Sequence, residues 1–348
     1  MNREFLCGVL YPFHIIVRST PLTSVGRRSY RRQIENALSC GFGILCGIGF
    51  AVGLSPVSAE ESTVESTVPE ASPVTEAPLV PAVLPGDGWT LDPEFSDEFN
   101  GETIDTTKWW DFNPAWPGRI PAMFARDNVT VQNGRLILTA RVPREDELTV
   151  ENVARGFDQF TTAIVKSKRR SFYGYYEARC RSMDAGVCNA FWLYDPLEPA
   201  KKYIEGEYSE EIDIFEIFGK PSTPSVVRTY YATVHRYQTP YVESVVNKKK
   251  YKLENHAFRQ RVDFDFQADF HTYGMLWTPE TITWYLDGKE MFTRKNDFFH
   301  RPLHIMIDCE IMRDWIGDPD PADLPASFET EYIHVWRNAD ENSIPMEK

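Results

Sequence analysis

Ser209-Glu210-Glu211-Ile212-Asp213-Ile214-Phe215-Glu216-Ile217-Phe218-Gly219 is the stretch whose reading decides the fold. From Glu211 to Ile214 acidic and apolar side chains alternate, and a period of two belongs to a strand. One face carries Glu211 and Asp213, the other Ile212 and Ile214. Strict alternation would place Glu216 with the isoleucines. A one-residue β-bulge near Phe215 returns it to the acidic face. The apolar face then packs in a core, and three carboxylates line the opposite, concave face.

The segments around it read the same way. Asn128-Val-Thr-Val131 and Arg135–Ala140 flank Asn133-Gly134, a type I′ hairpin signal. Tyr273–Trp277 and Thr281–Leu286 flank a turn containing Pro279, and Asp287-Gly288 turns the chain into Lys289–Thr293. Further strand-like runs are Tyr173–Arg181, Asn189–Tyr194, Thr229–His235, His304–Asp308 and Thr330–Trp336. No stretch has helical periodicity with caps, and no internal repeat is visible. Many short strands joined by hairpins predict an all-β antiparallel sandwich or barrel.

The acidic strand also carries chemistry. With the bulge, Glu211 and Glu216 are four strand steps apart, about 13 Å between Cα atoms. Each carboxyl can lean about 4 Å along the strand, given bonds of about 1.5 Å. That leaves about 5 Å, the separation a retaining glycosidase needs between nucleophile and acid/base. Three crowded acids disfavour full ionisation, so at least one keeps its proton near neutral pH and would be the general acid. The plainer readings are a solvated acidic face on an edge strand, or a cation site. Calcium loops usually take their oxygens from a Gly-containing turn. Asp318-Pro-Asp320-Pro-Ala-Asp323 imitates such a loop but lacks the glycine, and reads better as a surface turn.

Composition narrows the class. The chain has 348 residues, 37 Lys+Arg against 51 Asp+Glu, and a net charge of −14, which argues against a protein that binds nucleic-acid phosphates. Nine Trp, 16 Tyr and 22 Phe suit either a deep core or a cleft that stacks on flat, hydroxyl-rich ligands. There is no Walker loop and no G-x-S-x-G element. The basic stretch Arg27-Arg28-Ser29-Tyr30-Arg31-Arg32, the apolar run Ala37–Leu54 and Val57-Ser58-Ala59 together read as an export signal over 1–59. The paired arginines hint at twin-arginine export, and the long lead-in is compatible with a downstream start. The five glycines in the run weaken the alternative of a retained membrane anchor. Residues 60–88 lack aromatics and are rich in Pro, Glu, Ser, Thr and Val, a linker. Order is expected from Trp89, with a catalytic domain over 89–340 and a tail over 341–348. Beyond the leader three cysteines remain, Cys180, Cys188 and Cys309. Cys180 and Cys188 could pair or stay as buried thiols.

Glu211-Ile-Asp-Ile-Phe-Glu216 resembles the E-x-D-x-x-E motif of glycoside hydrolase family 16 in its bulged form. Tyr173–Arg179 followed by Ala190-Phe-Trp-Leu193 is similar to the family's two strands before the catalytic one, and Phe95–Gly101 to its opening strand. His271–Trp277 with Ile282–Gly288 is similar to its later hairpin. The resemblance covers roughly Trp89 to Arg337. It implies a concanavalin-like jelly roll of two curved antiparallel sheets with an open cleft for a polysaccharide. Glu211 would be the nucleophile, Glu216 the acid/base and Asp213 the residue that tunes the nucleophile, in a double displacement. No cofactor is implied; a structural calcium away from the cleft occurs in some relatives, and no residue set here demands one.

Two segments resemble the agarase and porphyranase branch. His304-Ile-Met-Ile-Asp-Cys-Glu310 with Trp315-Ile-Gly-Asp-Pro319 points to Glu310 and Trp315 at a sugar subsite, and Trp116-Pro-Gly-Arg119 points to Trp116 and Arg119. Tyr231-Ala-Thr-Val-His235 matches a strand that brings a histidine to substrate. Trp192 is a stacking residue or a core residue, and His235 a ligand contact or a buried histidine. At least one of Trp277 and Trp284 belongs to the core. An insertion, Asp195 to Glu210, departs from the branch and leaves the exact galactan open. Lys201-Lys202 and Lys166–Arg170 could meet substrate sulfates, though solvated surface charge is the plainer reading. The expected protein is an exported, monomeric, endo-acting retaining enzyme on agarose or porphyran, found at the cell surface, in the periplasm or outside. The expectation includes no nucleic-acid partner and no membrane association after signal removal. A β-1,3-glucanase of the same fold and a non-catalytic lectin-like sandwich are the alternatives.

Overall fold

The computed structural model describes residues 80–196, 208–237 and 254–338, and these form two stacked sheets. The outer sheet contains, edge to edge, β14 (Lys289–Lys295), β13 (Thr281–Leu286), β12 (His271–Trp277), β7 (Gly174–Arg181), β16 (Ala326–Asn338), β5 (Leu136–Ala140) and β4 (Val129–Val131), with β1 (Trp89–Leu91) added on β16. The inner sheet runs β11 (Glu254–Arg261), β10 (Thr229–Tyr237), β9 (Ser209–Phe218), β8 (Cys188–Asp195), β15 (Leu303–Glu310), β6 (Phe160–Ser171) and β2 (Trp109–Trp110). All these pairings are antiparallel; β3 (Ala122–Phe124) alone runs parallel to β6. This is the antiparallel sandwich expected from the strand pattern, in the two-sheet jelly-roll form that the family resemblance implied. Two short helices, α1 (Val150–Ala154) and α2 (Arg313–Ile316), are the α-helical turns of the described residues. None of the described helices is long and apolar enough to cross a membrane.

Turn chemistry fixes two hairpins as the sequence implies. Asn133 and Gly134 have φ of 54° and 69°, and Asp287 and Gly288 of 49° and 72°, the left-handed pairs that type I′ turns demand. Between the sheets lies one apolar core built from alternate residues of facing strands, including Trp109, Phe191, Phe215, Tyr273, Trp277 and Trp284. Both Trp277 and Trp284 are core residues. A second apolar cluster around Trp192 lies on the far face of the inner sheet, and a third around Trp89 on the far face of the outer sheet.

Several expectations are corrected by the structure. Phe95–Gly101 is a turn rather than a strand, tied to β16 by the Asp97–Ile333 bridge. Order reaches upstream of Trp89, because Val83 and Leu84 find an apolar surface on the outer sheet. Strands β6 and β11 lacked a legible period: the first half of β6 is buried on both faces, and β11 is a polar edge strand. Cys180 and Cys188 are unpaired thiols, and Cys180 bonds Thr330 Oγ1 on the core side. In the Asp318–Asp323 turn the carboxylates hold Arg313, the Ala322 N–H and Lys220, as a surface turn would. The leader, the linker to residue 79, the tail from 339 and Lys201-Lys202 lie outside the described residues.

Candidate active site

Strand β9 carries the acidic face, and its registers locate the bulge. On β8, Trp192 pairs with Asp213 but Phe191 pairs with Phe215, so Ile214 is the extra residue. On β10, Thr233 pairs with Asp213 and Tyr231 with Glu216. Ile214 and Phe215 both enter the central core, and Glu216 returns to the face of Asp213. Two hydrogen bonds satisfy the carbonyls that the interruption leaves in the core. Trp284 Nε1 donates to Asp213 O at 2.9 Å, and Tyr230 Oη to Ile214 O at 2.8 Å.

Across the inner sheet the registers define four rows of side chains. Glu211 lies between Tyr194 and His235; Asp213 between Trp192 and Thr233; Glu216 between Ala190 and Tyr231; Phe218 beside Cys188 and, one strand further, Glu310. The β8 partners of Glu211 and Glu216, Tyr194 and Ala190, are four residues apart, about 13 Å. The two glutamates therefore have the four-step spacing that lets their carboxyls lean together.

His235 supplies positive charge to this face. Its Nε2 is 3.3 Å from Asp213 Oδ2 and 3.7 Å from Glu211 Oε1. Burial works against the imidazolium, but the hydrogen bond and charge of Asp213, then Glu211 and Glu216, push it up to about 9. The carboxyl of Glu216 is pushed well above the usual range, first by burial and then by the negative charge of Asp213; His235 pulls it part of the way back. Glu216 therefore holds its proton to higher pH than an ordinary carboxyl, and His235 keeps its positive charge near neutral pH. Among the described residues Glu211, Asp213 and His235 are the one trio whose donor atoms could hold a metal, lying within 4.8 Å of one another. A protonated imidazole has no lone pair to offer, so the arrangement favours a hydrogen-bonded set over a ligand set.

The remaining candidates gather on the same face. Arg119 Nε donates to Glu310 Oε2 at 2.6 Å, and its guanidinium lies 5.8 Å from the centre of the Trp116 ring. Trp116 meets Trp192 edge-on at 6.4 Å, while Trp315 meets Phe218 and Tyr231, both at 4.9 Å. Burial raises the Glu310 carboxyl and Arg119 lowers it in part. All nine residues singled out in the sequence thus gather on or against one face of the inner sheet.

One residue there escaped the sequence reading. Asp308 is fully buried beside Ala190, two residues before Glu310 and on the same face. Burial and the charge of Glu310 raise its carboxyl strongly, and the charge of Arg119 lowers it in part. Its signal was the alternation in Met306-Ile-Asp308-Cys-Glu310, which places every second residue with Glu310.

The family model described as "Beta-porphyranase A-D, GH16 domain" matches residues 89–338. The chain is 30% identical to the kappa-carrageenase of Pseudoalteromonas carrageenovora, over 77% of this chain and 70% of that one. It is 29% identical to beta-porphyranase E of Zobellia galactanivorans, over 71% and 86%. Among solved structures, a 1,3-α-1,4-β-D-galactose-4-sulfate-3,6-anhydro-D-galactose 4 galactohydrolase superposes with a TM-score of 0.57 at 25% identity, covering 75% of this chain and 99% of that one. With the bulged acidic strand already in place, these matches settle the assignment: the chain belongs to glycoside hydrolase family 16 and is a glycoside hydrolase.

Proposed function

We propose that this protein is an endo-acting, retaining hydrolase of a red-algal galactan, working by double displacement without a cofactor. The observation that carries the mechanism is the bulge at Ile214–Phe215, which sets Glu216 four strand steps from Glu211 on one face. Glu211 attacks the anomeric carbon while the protonated carboxyl of Glu216 gives its proton to the departing glycosidic oxygen. A glycosyl ester on Glu211 results. Glu216, now a carboxylate, removes a proton from water as that water attacks the same carbon, and Glu211 leaves with the configuration retained. Asp213 and His235 hold the nucleophile and steady the charge around it. Trp116, Trp192 and Trp315 offer ring faces and edges to the sugars, and Arg119 with Glu310 offers hydrogen-bonding groups to hydroxyls.

The galactan reading draws on the kappa-carrageenase and porphyranase relatives. Since a polymer of this kind does not enter cells, we place the enzyme outside the cytoplasm, with 1–59 as its export signal and 89–340 as its catalytic domain. Incubation with agarose, porphyran, kappa-carrageenan and laminarin, read by new reducing ends, tests the substrate class. Internal cuts should appear as a rapid fall in polymer length, and the first product should keep the β-anomer by NMR. Release from laminarin alone would establish the glucanase alternative. Sugar binding that persists with no release, and that ignores Glu211→Ala and Glu216→Ala, would favour a lectin.

A further inference from the structure

Asp308 is a buried acid on the face of the catalytic strand, and the double displacement does not use it. Its row runs Ile164, Asp308, Ala190, Glu216 and Tyr231 across β6, β15, β8, β9 and β10. Ile164, Ala190 and Tyr231 belong to the apolar cluster around Trp192, so Asp308 points to that face and away from the central core. The small Ala190 alone separates it from Glu216, at two strand spacings of about 4.8 Å each. Glu310 is two residues further on, with the same parity and its Cα about 7 Å away. Asp308 is 0% exposed, and neither of its oxygens has a hydrogen-bond partner among the described residues.

The neighbouring acids have their charge answered. His235 lies 3.3 Å from Asp213 and 3.7 Å from Glu211, and Arg119 donates to Glu310 at 2.6 Å. Around Asp308 the elements supply no cation of its own. Strand β6 gives Ile164, with Lys166 one residue pair along; β8 gives Ala190 and the Cys188 thiol, which burial pushes well up. Strand β9 gives Glu216, and β15 itself gives Glu310, with Cys309 turned to the core. The charge of Arg119 reaches Asp308, but its Nε is already bound to Glu310. An ionised carboxylate so enclosed lacks any donor, and holding a proton costs less. Burial and the charge of Glu310 push the Asp308 carboxyl well above the usual range. With its proton the group becomes a donor, and the acceptor at hand is the Glu310 carboxylate. Its carbonyl oxygen is left for the Trp192 indole N–H, a buried donor that also has no partner. Two carboxyls beside one guanidinium then hold one proton between them.

We propose that Asp308 is a positioning residue of this active site: a neutral carboxylic acid whose O–H donates to the Glu310 carboxylate and braces Glu310 and Arg119 against the bound sugar. It rests on the glycosidase reading, with Glu310 at a sugar, and applies whichever polymer is cut. The brace matters because the Arg119 side chain is 48% exposed and holds Glu310 from the solvent side only. Neutrality matters as well. A charged Asp308 would set a second negative charge beside Glu310, and it would make Glu216 hold more tightly the proton that it must release in the first step.

Two measurements without substrate test the proton and the brace. The folded protein keeps a proton on Asp308 that the unfolded chain releases above about pH 4, so rising pH costs wild type stability that Asp308→Asn does not lose. In denaturant unfolding, the unfolding constant of wild type relative to Asp308→Asn should rise about tenfold per pH unit from about pH 4 toward neutral. A constant ratio, or one that falls, means an ionised Asp308 and overturns the proposal. A double-mutant cycle of Asp308→Leu with Glu310→Gln should show a coupling of about fivefold in the unfolding constant, and strict additivity rejects the brace. The third measurement uses the polymer that wild type cuts among agarose, porphyran, kappa-carrageenan and laminarin. Asp308→Leu should raise its KM about tenfold with a small change in kcat, and Asp308→Asn, whose amide N–H also donates to Glu310, should restore it. An unchanged KM in the leucine variant, or an equal loss in both variants, overturns the positioning role and leaves the galactan reading standing. If wild type cuts none of the four, the galactan reading fails by itself, and the pH series and the cycle decide the state of Asp308 and its hold on Glu310.

Discussion

The residues of the acidic face set one another's protonation. Glu216 keeps its proton to higher pH than a free carboxyl because it is buried beside Asp213, and His235 keeps its charge because Asp213 is 3.3 Å away. Glu216→Gln retains the shape but has no proton to give, so kcat should fall about 10²–10⁴-fold. A substrate with a leaving group that departs unprotonated should recover the first step, which a burst of that group would reveal. His235→Ala removes the positive charge that pulls the Glu216 carboxyl down. Glu216 then stays protonated to higher pH, and since it must be protonated to act, the alkaline limb of kcat/KM should move up, by about one pH unit. An alkaline limb that does not move would show that His235 is electrically remote from the acid. The shared face of Glu211, Asp213 and Glu216 was legible because alternation fails at one glutamate and a single bulge repairs it. Asp308 obeys the same alternation but was masked by the apolar residues around it. The charge on His235 was not legible, since it depends on a cross-strand partner with no mark in the local sequence.

At the scale of the element, β9 is held in its bulged form by one side chain of the opposite sheet and one of the neighbouring strand β10. The Asp213 carbonyl lies under the Trp284 indole, and the Ile214 carbonyl accepts from Tyr230. Trp284→Phe keeps an aromatic ring but leaves a buried carbonyl without a donor, which costs about 1–3 kcal/mol. The melting temperature should fall accordingly, and kcat should fall more than it does in a core variant of equal stability elsewhere, because Asp213 and Glu216 flank the bulge. A loss of stability with kcat intact would mean that the bulge persists without the bond. Here the sequence reading reached the bulge but not its support. Trp284 reads as a core residue from its strand, and nothing in Ile282-Thr-Trp284 says that its N–H reaches a strand about seventy residues earlier. Strands β6 and β11 went unread for the converse reason, since burial on both faces and a polar edge each erase the period of two.

For the whole molecule, two apolar patches lie on opposite outer faces with the core between them. The one around Trp192 lines the cleft; the one around Trp89, with Tyr175, Leu276, Tyr285 and Trp336, is covered by Val83 and Leu84. The aromatic load is thus divided between a large core and a smaller cleft, a division that composition alone left open. The segment just before β1 serves as a cover for the outer sheet, and it contributes to stability without approaching the acidic strand. Leu84, only 8% exposed, is its deepest residue. Leu84→Ala should cost about 2 kcal/mol, the low end for a buried leucine with solvent close by. For a domain of this size that is a fall of about 4–8 °C in melting temperature. Initial rates at 25 °C, where the variant stays folded, should match wild type in both kcat and KM, because the whole core separates this face from Glu211 and Glu216. Measuring both quantities on the same preparation separates the two faces: a drop in kcat at unchanged fold would mean that the outer sheet transmits its packing to β9, through the Trp284 bond that links them.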